Sequence, residues 1–143
     1  MFRGKLGRMA ISPTYSKTII IPKNSIDENG HVNNVAYVQW MQEIAVEHYD
    51  SIGGIKAQGS DTTWVIREHR IEYLLPAFEG EEIEIRTWVE NVRKVRSLRK
   101  YEFVRKADGR LLVKGETDWV FVNVETGAPQ AIPQEVTDVL KSL

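Results

Sequence analysis

Asp27, Gly30, His31, Asn33 and Asn34 fall within eight consecutive positions of the chain, the run Asp27-Glu28-Asn29-Gly30-His31-Val32-Asn33-Asn34. These residue types can do chemistry together. A carboxylate acts as a general base on water or as a nucleophile itself. An imidazole nearby can orient that carboxylate or a substrate carbonyl, and titratable groups gathered at a helix start often belong to sites. Gly30 permits a tight turn and lets loop backbone approach a ligand closely. Each residue also has a plainer reading: an Asx turn for Asp27, a loop histidine bonded to backbone for His31, and a helix cap rather than a substrate contact for Asn33.

The element that must carry this run follows at once. From Asn34 to about Ile52, the residues Val38, Met41, Ala45, Tyr49 and Ile52 recur at three- and four-residue steps, and Tyr37, Ile44 and His48 widen the stripe. Gln39, Glu43, Glu47 and Asp50 form a narrower polar side. Asn33 or Asn34 supplies the N-cap, and Gly53-Gly54 ends the helix. So wide an apolar face needs cover on several sides, which predicts a helix wrapped by a sheet. The first amides of the helix, around Asn34 and Val35, have no intrahelical acceptor and sit at the positive end of the dipole. They suit a developing oxyanion.

The strands are legible as well. Tyr15 to Ile21 is β-branched and closed by Pro22. Four more runs follow the helix, at about Thr62–Leu74, Glu81–Val92, Arg96–Lys106 and Arg110–Val124. Ile83, Ile85, Thr87 and Val89 alternate on one face, as do Leu111, Val113, Gly115, Thr117, Trp119 and Phe121. Gly115 in mid-strand points to a backbone or a ligand passing close. Short connections make the neighbours antiparallel. Pro133 to Leu143 reads as a terminal helix. The order of strand, long helix and four antiparallel strands gives an α+β domain of two layers.

Composition sets the outer bounds. A chain of 143 residues holds one core. The domain is expected over residues 15–143, with residues 1–14 a mobile N-terminal extension and Met9 an alternative start. The absence of cysteine rules out disulfides, thiolate metal sites and a cysteine nucleophile, and fits a cytoplasmic setting. A net charge of -1 makes no case for nucleic acid or an anionic membrane. No apolar run is long enough to span a bilayer, and the basic first residues lack the apolar segment of a secretory signal.

The motif Asp27-x-x-Gly30-His31-Val32-Asn33-Asn34-x-x-Tyr37, followed by an apolar helix and four strands, resembles the hot-dog-fold thioesterases. The nearest groups are the 4-hydroxybenzoyl-CoA thioesterase-like acyl-CoA hydrolases and the plant acyl-ACP thioesterases. Ile71-x-Tyr73-x-x-Pro76 and Thr126-Gly127-x-Pro129-x-x-Ile132-Pro133 share the likeness, which runs from about Tyr15 to Pro133. The resemblance implies a central helix wrapped by a five-stranded antiparallel sheet, a homodimer or homotetramer with sites at the subunit interface, and thioester hydrolysis without metal or cofactor. Asp27, His31 and Asn34 become the expected catalytic residues. Gly30, Asn33, Val35 and Tyr37 become substrate contacts, with an acyl-CoA or acyl-ACP as substrate. A non-catalytic acyl-CoA-binding protein of the same fold is a third reading.

The remaining candidates are weaker. Glu43, on the narrow polar side of the helix, is a hydrogen-bonding group near substrate or a solvated helix residue. Arg93 and Arg96, in the basic group Arg93, Lys94, Arg96, Arg99 and Lys100, suit the phosphates of CoA, although a solvated loop and strand face is the better explanation of any one of them. His31, His48 and His69 lack zinc spacing, so no metal site is expected. His48 lies on the apolar stripe and is expected to be a core histidine bonded to backbone. The four tryptophans are expected in core or interface.

Overall fold

The computed structural model describes residues 10–141. Five strands, β1 (Tyr15–Ile20), β2 (Thr62–Tyr73), β3 (Glu82–Arg93), β4 (Arg96–Arg105) and β5 (Leu111–Asn123), form one sheet in the order β1-β3-β4-β5-β2. Every neighbouring pair is antiparallel. The long helix α1 (Asn34–Ser51) leaves β1 at one edge and delivers the chain, through the short helix α2 (Gly54–Gln58), to β2 at the other. A terminal helix α3 (Gln134–Lys141) closes one end of the core through Val136 and Leu140.

Directly paired residues share a face, so the registers show what lies under α1. One rung runs Ile85, Phe103, Val113, Tyr73, and the next Thr87, Tyr101, Gly115, Ile71. Tyr37, Met41, Ile44 and Ala45 of α1 are buried in one cluster with Ile83, Ile85, Tyr101, Phe103 and Val113. Burying each such side chain is worth roughly 1.5–3 kcal/mol. That cluster is therefore the main force holding helix to sheet. Val38, Tyr49 and Ile52 are only half-buried.

Local expectations are revised at two positions of β5. Gly115 chiefly makes room for the Met41 side chain, not for a ligand; a Cβ there would stand 3.1 Å from the Met41 methyl and 3.4 Å from the Arg70 backbone carbonyl. Leu111 gives its core place to Leu112, because the register shifts where β5 leaves β4. Within the expected extension, Ile11 and Ser12 are bonded to β3. Both backbone N–H groups donate to the Val89 carbonyl, and the Ser12 hydroxyl accepts from the Val89 N–H at 2.7 Å. The first residues, Met1 to Met9, lie outside the described residues, as do Ser142 and Leu143 at the end of the expected terminal helix.

Candidate active site

The loop before α1 is built like a miniature hairpin. Ile26 bridges Val32, the Asp27 N–H donates to the His31 carbonyl at 3.1 Å, and the Gly30 N–H donates to the Asp27 carbonyl at 3.0 Å. Gly30 has φ +86°, a conformation that strains residues with a Cβ. The Asn33 N–H then donates to the Ser25 carbonyl at 2.9 Å, and the Val32 N–H to the Ala77 carbonyl at 2.9 Å. These bonds fasten the loop to the strand connection ahead of β3 and set Asp27 across the ribbon from His31, a few positions before the helix.

Asp27 is half-buried, and its Oδ1 accepts from the Asn29 N–H at 2.9 Å. The Asx turn is thus real. Its Oδ2 has no hydrogen bond among the described residues. Asn33 is the N-cap: Oδ1 accepts from the Ala36 N–H at 2.9 Å while Nδ2 donates to the Ser25 carbonyl at 3.1 Å. Both ends of the amide are engaged, so Asn33 positions the helix start. We expect Asn33→Ala to cost about 1 kcal/mol in a denaturant melt, and Asn33→Asp to keep the cap but lose the bond to Ser25. Asn34 and Val35 are exposed, and neither N–H has a protein acceptor among the described residues.

The structure separates several residues that the sequence grouped. Among the described residues, the His31 ring makes no hydrogen bond to Asp27 or to backbone; it meets Phe78 edge-on at 6.4 Å. Tyr37 is core, packed edge-on against Trp40, Tyr73 and Phe103, and burial pushes its phenol up to about 12. Glu43 is exposed and accepts from Gln39 at 2.9 Å within α1. Arg93 and Arg96 stand at the β3–β4 hairpin, on the sheet face turned away from α1. They are roughly 35 Å along β3 from the strand end that holds the loop. Arg96 pairs there with Asp118. Within one chain, the geometry does not bring these arginines to Asp27.

Sequence reasoning missed a buried pair. Arg99 is 4% exposed, and its Nη1 lies 2.8 Å from His48 Nδ1 and 3.1 Å from Thr87 Oγ1. A guanidinium only donates, so His48 accepts at Nδ1 and carries its proton on Nε2. His48, expected to bond backbone, instead stacks on Tyr15 at 5.2 Å and bonds Arg99. Burial, and then the charge of Arg99, pull its imidazole down to about 4. Burial also brings Arg99 down to about 10, leaving it a cation at neutral pH. The signal was present in β4: Arg99 is in phase with Tyr101 and Phe103, not with Lys100 and Glu102. His69 is engaged elsewhere, its Nδ1 2.8 Å from Thr117 Oγ1. Among the described residues, no three His, Asp or Glu gather as a metal would require, and no helix is long and apolar enough to cross a membrane.

A long helix laid across a five-stranded antiparallel sheet, with a Gly-His-Val-Asn-Asn turn at the helix start, defines the hot-dog class of thioesterase folds. The chain belongs to the Thioesterase-like superfamily, whose sequence profile matches residues 21–140. It is 24% identical over 135 residues to oleoyl-acyl carrier protein thioesterase 2, chloroplastic, of Arabidopsis thaliana, a match covering 87% of this chain and 36% of that one. The chain spans about a third of the length of the curated relatives it matches. The 1,4-dihydroxy-2-naphthoyl-CoA thioesterase from Synechocystis superposes with a TM-score of 0.80 at 17% identity, covering 92% of this chain and 98% of that one. An acyl-ACP thioesterase from Bacteroides thetaiotaomicron superposes with a TM-score of 0.77 at 22% identity, covering 85% of this chain and 50% of that one. At these identities, the structural likeness establishes the fold.

Proposed function

We propose that this chain hydrolyses an acyl-CoA thioester to the free acid and CoA, with Asp27 as the acting carboxylate. The observation that carries the reading is the juxtaposition at the start of α1: one carboxylate oxygen without a hydrogen bond, on a loop pinned beside two unpaired helix amides. Membership of the superfamily supports it. In the general-base route, Asp27 takes a proton from water and the hydroxide adds to the thioester carbonyl. The negative charge collects on the carbonyl oxygen, held by the Asn34 and Val35 N–H groups. Collapse breaks the C–S bond, and the departing thiolate takes the proton back. In the nucleophilic route, Asp27 adds directly, forms a mixed anhydride as the thiolate leaves, and water then cleaves the anhydride. Either route draws on water alone.

Asp27 lines neither the cavity at the far end of α1 nor the one on the outer sheet face. We include a homodimer or homotetramer in the proposal. The edge strand β2 and the turn after it expose Val65, Tyr73 and Leu74, and α1 exposes Val35 and Val46, surfaces that a second copy would cover.

A panel of short, long and aromatic acyl-CoAs, followed with a thiol-trapping dye, tests the reading. Turnover of at least one is expected, and inactivity on all of them would overturn it. A matched acyl-CoA and acyl-ACP pair tests the carrier. The curated relatives act on acyl carrier protein by name, but an acidic carrier calls for a basic entrance, and Arg93 and Arg96 are remote from Asp27 within the chain. The phosphates of CoA lie under the same constraint, so the matched assay decides the carrier.

A further inference from the structure

At the other end of α1 from Asp27 lies a cavity of about 300 Å³, a size within the lower range of small-molecule pockets. It is framed by Ala45, Val46 and Tyr49 of α1, Ile55 and Gln58 of α2, and the strands beneath. Its walls are largely apolar and include the aromatic rings of Trp64, Trp119 and Tyr49. Val46 and Ile55 are exposed and form an apolar rim. Arg99 lies in its lining.

The polar groups of the cavity are short of acceptors. Arg99 is a buried cation whose two bonds go to neutral partners, His48 and Thr87. Among the described residues, no Asp or Glu pairs with it. The indole N–H groups of Trp64 and Trp119 are buried and make no hydrogen bond. The Tyr49 and Tyr101 hydroxyls lie in their neighbourhood, but neither pair meets hydrogen-bonding geometry. Indole N–H donates only; both are enclosed within the wall, so what the cavity itself presents is one unneutralised charge, Arg99, against largely apolar walls. A buried charge without a counterion is costly, and buried donors left unpaired are rare enough to call for an explanation.

We propose that this cavity binds the carboxylate end of a small, largely apolar acid, with Arg99 as its counterion and specificity determinant. The acid is either the far end of a long acyl group reaching along α1, so that the enzyme prefers thioesters of long-chain dicarboxylic acids, or a free acid bound in its own right. The first alternative rests on the thioesterase reading; the second does not.

Two measurements test this. Tryptophan fluorescence, reporting from Trp64 and Trp119, is titrated with benzoate and hexanoate, and with the uncharged benzyl alcohol and hexanol. The acids are expected to bind at least about tenfold tighter than the alcohols, and Arg99→Met is expected to abolish that preference. Arg99→Lys should keep part of it. Val46→Trp, a change at the exposed rim, should weaken both classes of probe without touching Arg99. Separately, kcat/KM is compared in wild type and Arg99→Met for hexadecanedioyl-CoA and hexadecanoyl-CoA, whose chains are long enough to span the roughly 20 Å of α1 between its first turn and His48 beside Arg99. An end-group preference lost in Arg99→Met assigns the acid to the acyl chain. Acid binding without that preference assigns it to a free acid. Equal binding of acids and alcohols by the wild type, or an acid preference that survives Arg99→Met, overturns the proposal. Failure to hydrolyse any thioester while acids still bind through Arg99 overturns the thioesterase reading and leaves the cavity site standing.

Discussion

Asp27→Asn will lower kcat on the best thioester by about 100- to 10,000-fold, the usual contribution of a general acid or base, while the chain stays folded. Asparagine is the informative replacement here. Its Oδ1 still accepts from the Asn29 N–H, so the Asx turn seen at Asp27 survives. What is removed is the negative charge and the ability to hold a proton. A structural role would therefore be rescued by asparagine, and a catalytic one would not. Asp27→Ala removes both functions and should be at least as inactive, with some loss of stability. The pair of variants is read by steady-state kinetics and by thermal unfolding. Full activity in Asp27→Asn would place the acting carboxylate elsewhere.

The second large effect is on acid stability. The His48 imidazole titrates near 4 in the folded protein, lowered first by burial and then by Arg99, against about 6.5 when unfolded. Between these values the unfolded chain binds a proton that the folded chain does not. Stability therefore falls as pH drops through 6.5 and continues to fall until about pH 4. At about 1.4 kcal/mol per pH unit, the loss approaches ~3 kcal/mol. His48→Gln retains an acceptor for Arg99 but does not titrate, so its unfolding free energy should lack this component between pH 6.5 and 4.5. Arg99→Met should shrink the same window, because it removes the charge that helps hold His48 neutral. Parallel pH profiles for wild type and His48→Gln would show that His48 is not the group responsible. Thr87, which shares Arg99, carries no titratable group and leaves the sign unchanged.

Much of the architecture is readable because it is periodic. Ile83, Ile85, Thr87 and Val89 alternate in sequence and are all buried under the helix. The helix begins at Asn34 because Asn33 caps it, and it ends where Gly53 takes φ +85°. Departures come where period and residue type point different ways. By type, Arg99 groups with its charged neighbours, although its phase belongs with Tyr101 and Phe103; in a strand, phase decides. Strict alternation puts Leu111 in the core, and the register shift moves that role to Leu112. Tyr37 follows the Asn-Asn turn in the motif, yet one helical turn carries it into the aromatic cluster and away from the loop.

The sequence by itself determined the order of elements, the capped helix and the loop that precedes it. These depend on interactions a few residues apart: turns, caps and alternation. The tertiary structure alone decided which cation is inside and what it meets. His48 and Arg99 are 51 positions apart, and Trp64 and Trp119 are brought to one cavity only because β2 closes against β5. Strand order and register govern such meetings, and neither is written into any local stretch of the chain.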